Sequence, residues 1–288
     1  MNNYDVIIVG AGPAGLRCAE ILGSTKLSVL LLEKNPVVGD KVCAGGITRK
    51  GFQMMQIPDE IIQHKVVQVA LHSKHYQNHS NWPEPVMYTV NRREFGEWQL
   101  QRLKDTGVEV RLNTKVTEIR ELQIVTDKQE VIGFKFLVGA DGPNSMVRRD
   151  LKIPLEKVLA SVQYVIPQKD VAPSMGVFLN SKYFHSWYAW LFPHKNSIIV
   201  GTCADAKYVP GKKMKEKLHA WMKKEGYDIS KAEYQSYPIS YDYRGTRFGN
   251  IFLAGEAAGM ASGLTGEGIY QSLVCGEEVA KLIIDPNY

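Results

Sequence analysis

No two of the four cysteines, Cys18, Cys43, Cys203 and Cys275, stand in CxxC spacing or beside a histidine at ligand spacing, so neither a disulfide framework nor a zinc site is expected. No apolar run is long enough to span a bilayer, and no charged-then-apolar leader precedes the first apolar segment, so secretion and integral insertion are not expected. The net charge of +5 is spread along the chain and is too diffuse to point to nucleic acid. Internal repeats and low-complexity linkers are missing too. These absences point to a reducing cytoplasm, with any membrane contact peripheral, at the inner surface. With 288 residues and 44% hydrophobic content, the chain has enough apolar material for one large domain or two modest ones.

What is present begins at YDVIIVGAGPAGLRCAEIL. Val6 to Val9 form a compact apolar run that predicts a buried parallel strand, and a glycine turn and a helical pattern follow at once. Gly10, Gly12 and Gly15 give GxGxxG: the first allows a tight turn, the second lets a pyrophosphate approach the backbone, and the third lets helix pack on strand. Pro13 suits the first helical turn, where its missing N–H costs nothing. LSVLLLE then predicts a second buried strand ending in Glu33, an acid placed to hydrogen-bond the ribose of an adenine nucleotide. This order of elements predicts a dinucleotide site without choosing between NAD and FAD.

The same grammar recurs twice. FLVGADGPNSMVRR runs from an apolar strand into Asp141 and Gly142, and NIFLAGEAAG runs from Ile251–Leu253 into Gly255 and Glu256. Three such turns imply an extended ligand. In SGLTGEGIYQSL, Gly263, Gly266 and Gly268 expose backbone N–H groups as an apolar helix begins near Ile269, a place that favours negative charge. The segment WYAWLFP alternates: as a strand it sets Tyr188, Trp190 and Phe192 on one face, with Trp187, Ala189 and Leu191 on the other. Such a row either fills a core or walls a site for something flat or oily.

GAGPAG with Glu33, GADGPNSMVRR and LAGEAAG resemble the three nucleotide motifs of the flavoprotein superfamily that contains p-hydroxybenzoate hydroxylase. The resemblance implies FAD, held by Gly10, Gly12, Pro13, Ala14, Gly15, Glu33 and Lys34. It also implies Asp141 and Gly142 near the pyrophosphate, and Gly255 and Glu256 near the ribityl chain, with Glu256 standing where the family has Asp. Arg92, in VNRREFGEW, matches the arginine that helps hold FAD, and Gly266, Gly268 and Ile269 fall where the reduced flavin's charge is stabilised. The fold implied is α/β: a Rossmann-like FAD-binding domain from residues 1–65, 90–150 and 245–288. A discontinuous second, substrate domain from 66–89 and 151–244 is built on a mixed or antiparallel sheet.

GDKVCAGG, with Lys41, Cys43 and Ala44, and the YxWxFP pattern of Tyr188, Trp190, Phe192 and Pro193 narrow the resemblance to the geranylgeranyl reductase family. That family saturates prenyl C=C bonds, so the implied reaction is hydride delivery from reduced flavin N5 to an alkene of an isoprenoid or similarly apolar substrate. Cys43 and Tyr188 are the candidates for proton transfer or positioning, and Tyr188, Trp190 and Phe192 for the substrate wall. A monooxygenase or halogenase is the enzymatic alternative, the latter through Lys41, and a flavin-binding redox sensor or partner module is the non-enzymatic one. The electron donor is NAD(P)H or a ferredoxin-like carrier, since no second GxGxxG indicates a separate nicotinamide domain. Many of these reductases carry a further carboxy-terminal region, whereas this sequence ends about a helix after the flavin motif, and His194 stands where a lysine is frequent.

Two further segments carry weaker signals. PGKKMKEKLHAWMKKEG places Met214, Leu218, Trp221 and Met222 at helical spacing among lysines, which reads as a surface helix packed on the sheet. The alternative is an interfacial helix meeting anionic headgroups or an acidic electron carrier. His72, His75 and His79 lie close in sequence, but their strand-and-loop setting fixes no common face, so no metal site is expected.

Overall fold

The computed structural model describes residues 2–169, 174–285 and 287–288. The chain divides into two compact units: 1–41, 93–157 and 240–288 form the first, 42–92 and 158–239 the second.

The first unit is organised by its parallel strands, in the order Ile251–Leu253, Val131–Gly139, Asn2–Val9, Val29–Leu32 and Val108–Arg111. The long strand Val131–Gly139 pairs along one edge with Asn2–Val9 and shares its other edge between two neighbours. Its first half pairs antiparallel with Gln123–Thr126 and its last three residues pair parallel with Ile251–Leu253. The central strand shows why its sequence is continuously apolar. Val6 and Ile8 pack on one side with Leu16, Leu22 and Val279, while Ile7 and Val9 pack on the other with Ile124, Leu137 and Val147. Both faces are dry, so every position must be hydrophobic. Complete burial of one such side chain is worth roughly 1.5–3 kcal/mol. The helices Pro13–Leu22 and Ile269–Ile284 contribute to the first of these cores.

The second unit holds a seven-stranded sheet ordered Glu233–Ser240, Val158–Pro167, Ser197–Asp205, Tyr188–Pro193, Ser174–Leu179, Gln68–His72, Gln77–Asn81. One pairing, Gln68–His72 with Ser174–Leu179, is parallel, so the sheet is mixed. One face is covered by the helix Gly211–Lys224 through Met214, Leu218, Trp221 and Met222, which meet Val162, Tyr164 and Val200 of the sheet. The apolar stripe of this helix is therefore taken by the protein itself and is not free for a bilayer, while Lys212, Lys213, Lys215, Lys223 and Lys224 are exposed.

A small sheet, Gly46–Thr48, Met87–Val90 and Ile62–Val66, completes the second unit. It explains a difference from the sequence reading. Residues 42–65 and 90–92, expected with the cofactor-binding pieces, cluster with the second unit because their strands pair with Met87–Val90. Within VVQVALHS the strand breaks at Val67, and its two parts enter different sheets. No helix among the described residues is long and apolar enough to cross a membrane.

Candidate functional site

In the first unit three parallel strands end together and each runs into one of the glycine motifs. The ladder continues one residue past each strand: Gly10 N–H donates to Leu32 O at 2.7 Å, Ala140 to Val9 O at 2.8 Å and Ala254 to Gly139 O at 2.9 Å. Ligands of open parallel sheets bind at this carboxyl edge. Gly10 sits at φ +106°, and a Cβ there would come within 2.4 Å of Ala140 O and 2.9 Å of the Asp141 Cα, so the first and second motifs abut through a position that only glycine fits. A Cβ on Gly12, by contrast, would meet nothing within 4 Å, so the turn presents open backbone. Pro13 opens the helix and Gly12 precedes it without a side-chain cap, leaving N–H groups of Ala14 and Gly15 directed outward from the first turn. The last helix closes the arrangement, because Gly276 faces the Ala14 carbonyl so closely that a Cβ would lie 2.2 Å from its oxygen.

Five charged side chains, Glu33, Lys34, Lys41, Asp141 and Glu256, furnish this edge. Glu33 is buried; its Oε2 accepts from Ala11 N at 2.8 Å and its Oε1 from Asn35 N at 2.9 Å, which fixes the carboxylate while leaving lone pairs for two hydroxyl donors. Asp141 Oδ2 accepts from Met146 N at 2.6 Å and so anchors the helix Met146–Asp150, whereas Oδ1 is shielded and has no partner among the described residues. Burial pushes the Asp141 carboxyl above the usual range, against the opposing pull of its hydrogen bonds. Glu256 Oε1 meets Lys41 Nζ at 2.8 Å, and Glu256 Oε2 is likewise shielded and without a partner among the described residues. Lys34 is exposed. Gly142 follows Asp141, Gly255 precedes Glu256, and Gly266 and Gly268 lead into Ile269, the first residue of a helix with no side-chain cap.

These features fit FAD. Two lone carboxylate oxygens at the edge call for hydroxyl or N–H donors, as a ribityl chain and riboses supply, and two uncapped helix starts call for negative charge. Gln99 was not singled out from sequence. It is buried two turns after Arg92 on the same helix face, and neither amide atom has a partner among the described residues. The two-turn spacing from Arg92 was the available signal. Arg92 itself is nine-tenths buried, unlike an ordinary solvated helix arginine.

Arg148 was also missed. Its guanidinium, 3% exposed, donates to Ala257 O, Pro154 O and Asp242 O and pairs with Asp242 Oδ2 at 3.4 Å. It ties the loops after the second and third motifs together, a structural rather than a ligand-facing use.

The second unit holds the other candidates. Strand alternation puts Ala189 in the core beneath the helices, with Trp187 and Leu191 packed against it, and sets Tyr188, Trp190 and Phe192 on the opposite face. The Trp190 indole lies over Gly201, directly across the ladder, where a Cβ would be 2.5 Å from Cζ2. Its buried N–H has no acceptor among the described residues. Burial pushes the Tyr188 phenol up to about 12, so it stays protonated at neutral pH.

Phe192 lies on Gly46, where a Cβ would be 2.6 Å from the ring, so the aromatic strand and the cysteine turn touch. In that turn Cys43, half-buried, accepts at Sγ from Gly45 N at 3.3 Å, and Ala44 O meets His194 Nε2 at 3.0 Å. Elsewhere in this unit His72 stacks on Phe178 at 4.7 Å and meets His79 edge-on at 5.8 Å, an aromatic cluster.

Residues 3–273 match the FAD binding domain family. The chain belongs to that family. Similar sequences include a digeranylgeranylglycerophospholipid reductase of Methanosphaerula palustris, 25% identical, spanning 98% of this chain and 76% of that protein. A geranylgeranyl diphosphate reductase of Rhodobacter capsulatus is 26% identical, spanning 96% and 74%. Among solved structures, a geranylgeranyl bacteriochlorophyll reductase-like protein of Thermoplasma acidophilum superposes with a TM-score of 0.88 at 20% identity, over all of this chain and 80% of that one. The FAD binding domain chain is thus an FAD-dependent oxidoreductase, and the resemblance to geranylgeranyl reductases carried by VCAGG and YAWLFP extends over nearly its whole length.

Proposed function

We propose that this oxidoreductase reduces carbon–carbon double bonds of a prenyl chain or a similarly apolar substrate. The observation that carries the reading is the packing of the Phe192 ring on Gly46, which joins the aromatic face to the cysteine turn within one unit. When bound and reduced, FAD supplies a hydride equivalent. Gly10, Gly12, Pro13, Ala14 and Gly15 would hold its pyrophosphate, with Asp141 and Gly142 beside it; Glu33 and Lys34 would serve the adenosine end, and Gly255 and Glu256 would orient the ribityl chain. Arg92 and the Gly266–Ile269 helix start add positive potential. An unactivated alkene needs a dry, shaped surface and a proton held where it is wanted. Tyr188, Trp190 and Phe192 exclude water and present a flat apolar wall, and the Cys43 thiol holds the proton at Sγ for the alkene carbon, with Ala44 shaping the approach.

The engagement of Lys41 with Glu256 favours a structural, cofactor-side role for this lysine over that of a halogenase. Electrons come from NAD(P)H or an acidic ferredoxin-like carrier. For the latter, the exposed lysines of Gly211–Lys224 offer a docking face, and the protein works in a reducing cytoplasm, reaching lipid peripherally. To test the reading, the holoprotein is reduced without oxygen and mixed with prenyl lipids, prenyl diphosphates or prenylated quinones. The expected result is product two hydrogen atoms heavier with return of oxidised flavin absorbance. Failure with every alkene overturns the proposal.

A further inference from the structure

His194 is buried, 7% exposed, at the end of the aromatic strand, and it donates its backbone N–H to Ser197 O at 2.8 Å to close the turn into the next strand. Its Nε2 lies 3.0 Å from Ala44 O. A carbonyl only accepts, so Nε2 carries the hydrogen. On the far side of the same turn, Val90 N–H donates to Gly45 O at 2.9 Å, and Gly45 takes φ +76° with no space for a Cβ, which would lie 2.2 Å from Val90 O and 3.2 Å from His194 Cε1. Thr89 Oγ1 holds Pro193 O at 2.7 Å in a buried hydrogen bond. The peptide between Ala44 and Gly45 is therefore held at its carbonyl by an imidazole, the next peptide is held at the Gly45 carbonyl by a strand backbone, and the Gly45 N–H is what Cys43 Sγ accepts from. Burial, together with the nearby His64, disfavours the imidazolium, and the Ala44 carbonyl opposes them.

We propose that His194 is a positioning residue: by fixing the Ala44 carbonyl it sets the direction of the Cys43 thiol. Its consequence for turnover rests on the proposed proton-transfer role of Cys43, but its effect on thiol geometry does not. The test uses the holoprotein and iodoacetamide, since Cys18, Cys203 and Cys275 are buried and Cys43 is the accessible thiol. His194→Leu removes the donor, and His194→Gln keeps an N–H donor on a side chain of similar reach. The Leu variant should alkylate at Cys43 about two- to tenfold faster, the range expected for losing one such hydrogen bond. It should also lower kcat with KM unchanged, and the Gln variant should restore both.

Wild-type alkylation in a folded Leu variant, or failure of Gln to restore the rate, overturns the proposal. Nitrogen-15 imidazole spectra of the unsubstituted protein decide it without any variant: the Nε2–H tautomer is expected, and an Nδ1–H tautomer overturns it. Normal turnover in Cys43→Ala would remove the chemical role of Cys43 and leave the alkylation and tautomer results standing, so the two failures are distinguishable.

Discussion

The carboxyl edge of the first unit is made from backbone, whereas the aromatic face of the second is made from side chains. At the edge, Gly10, Gly12 and Gly276 matter for what they lack, and Glu33 and Asp141 spend oxygens on backbone N–H groups before any ligand is considered. On the face, Trp190 and Phe192 matter for their bulk and rest on Gly201 and Gly46. Backbone sites tolerate substitution abruptly or not at all. Side-chain surfaces should respond in proportion to the volume removed.

The contrast can be broken first at Gly10. Gly10→Ala combines a φ unsuited to alanine with a collision against Ala140 O, so near-complete loss of bound flavin and a stability loss of about 2 kcal/mol or more are expected, read from the absorbance ratio and thermal unfolding. On the second unit Trp190→Ala should cost roughly 3 kcal/mol by the usual penalty for a buried tryptophan while leaving flavin content unchanged; loss of flavin would show that the two regions are not separable in this way. Gly12→Ala sharpens the comparison. Its methyl group meets no protein atom, so unfolding should stay within about 0.5 kcal/mol of wild type while flavin dissociates about tenfold more readily, measured by fluorescence of released flavin.

The smallest effect is one of pH. Burial holds the folded His194 below the ordinary histidine value near 6.5, so the unfolded chain takes up protons first as pH falls. Stability carried by the neutral ring is complete above about 6.5 and declines as pH drops toward the lowered folded value. The stability of wild type relative to His194→Gln should therefore fall with acidity by about 1 kcal/mol or less, seen in denaturant midpoints from pH 7 to pH 5. A flat difference would place the ring in a solvated setting.

The backbone edge was legible in the sequence because close approach demands glycine, and glycine at fixed offsets after an apolar run survives as text. Alternation made the faces of YAWLFP legible for a similar reason. What escaped was pairing at long range. His194 and Ala44 are 150 residues apart, and Lys41 and Glu256 more than two hundred, so nothing in either segment names the other. The small sheet escaped for a related reason: GIT and IQHKV are short and become strands only because MYTV lies between them. Arg148 and Gln99 look like surface polar residues until the fold buries them.

The close meeting of Gly276 with Ala14 has one more consequence. These residues belong to the last and first helices of the unit, and the contact is carbonyl oxygen against bare Cα, with no side chain to yield. A single methyl group added at Gly276 acts as a wedge, driving apart two rods whose starting ends both border the glycine edge. Cofactor retention then becomes a gauge of helix spacing, and the site can be loosened by an atom placed a full two turns along the last helix from its starting end.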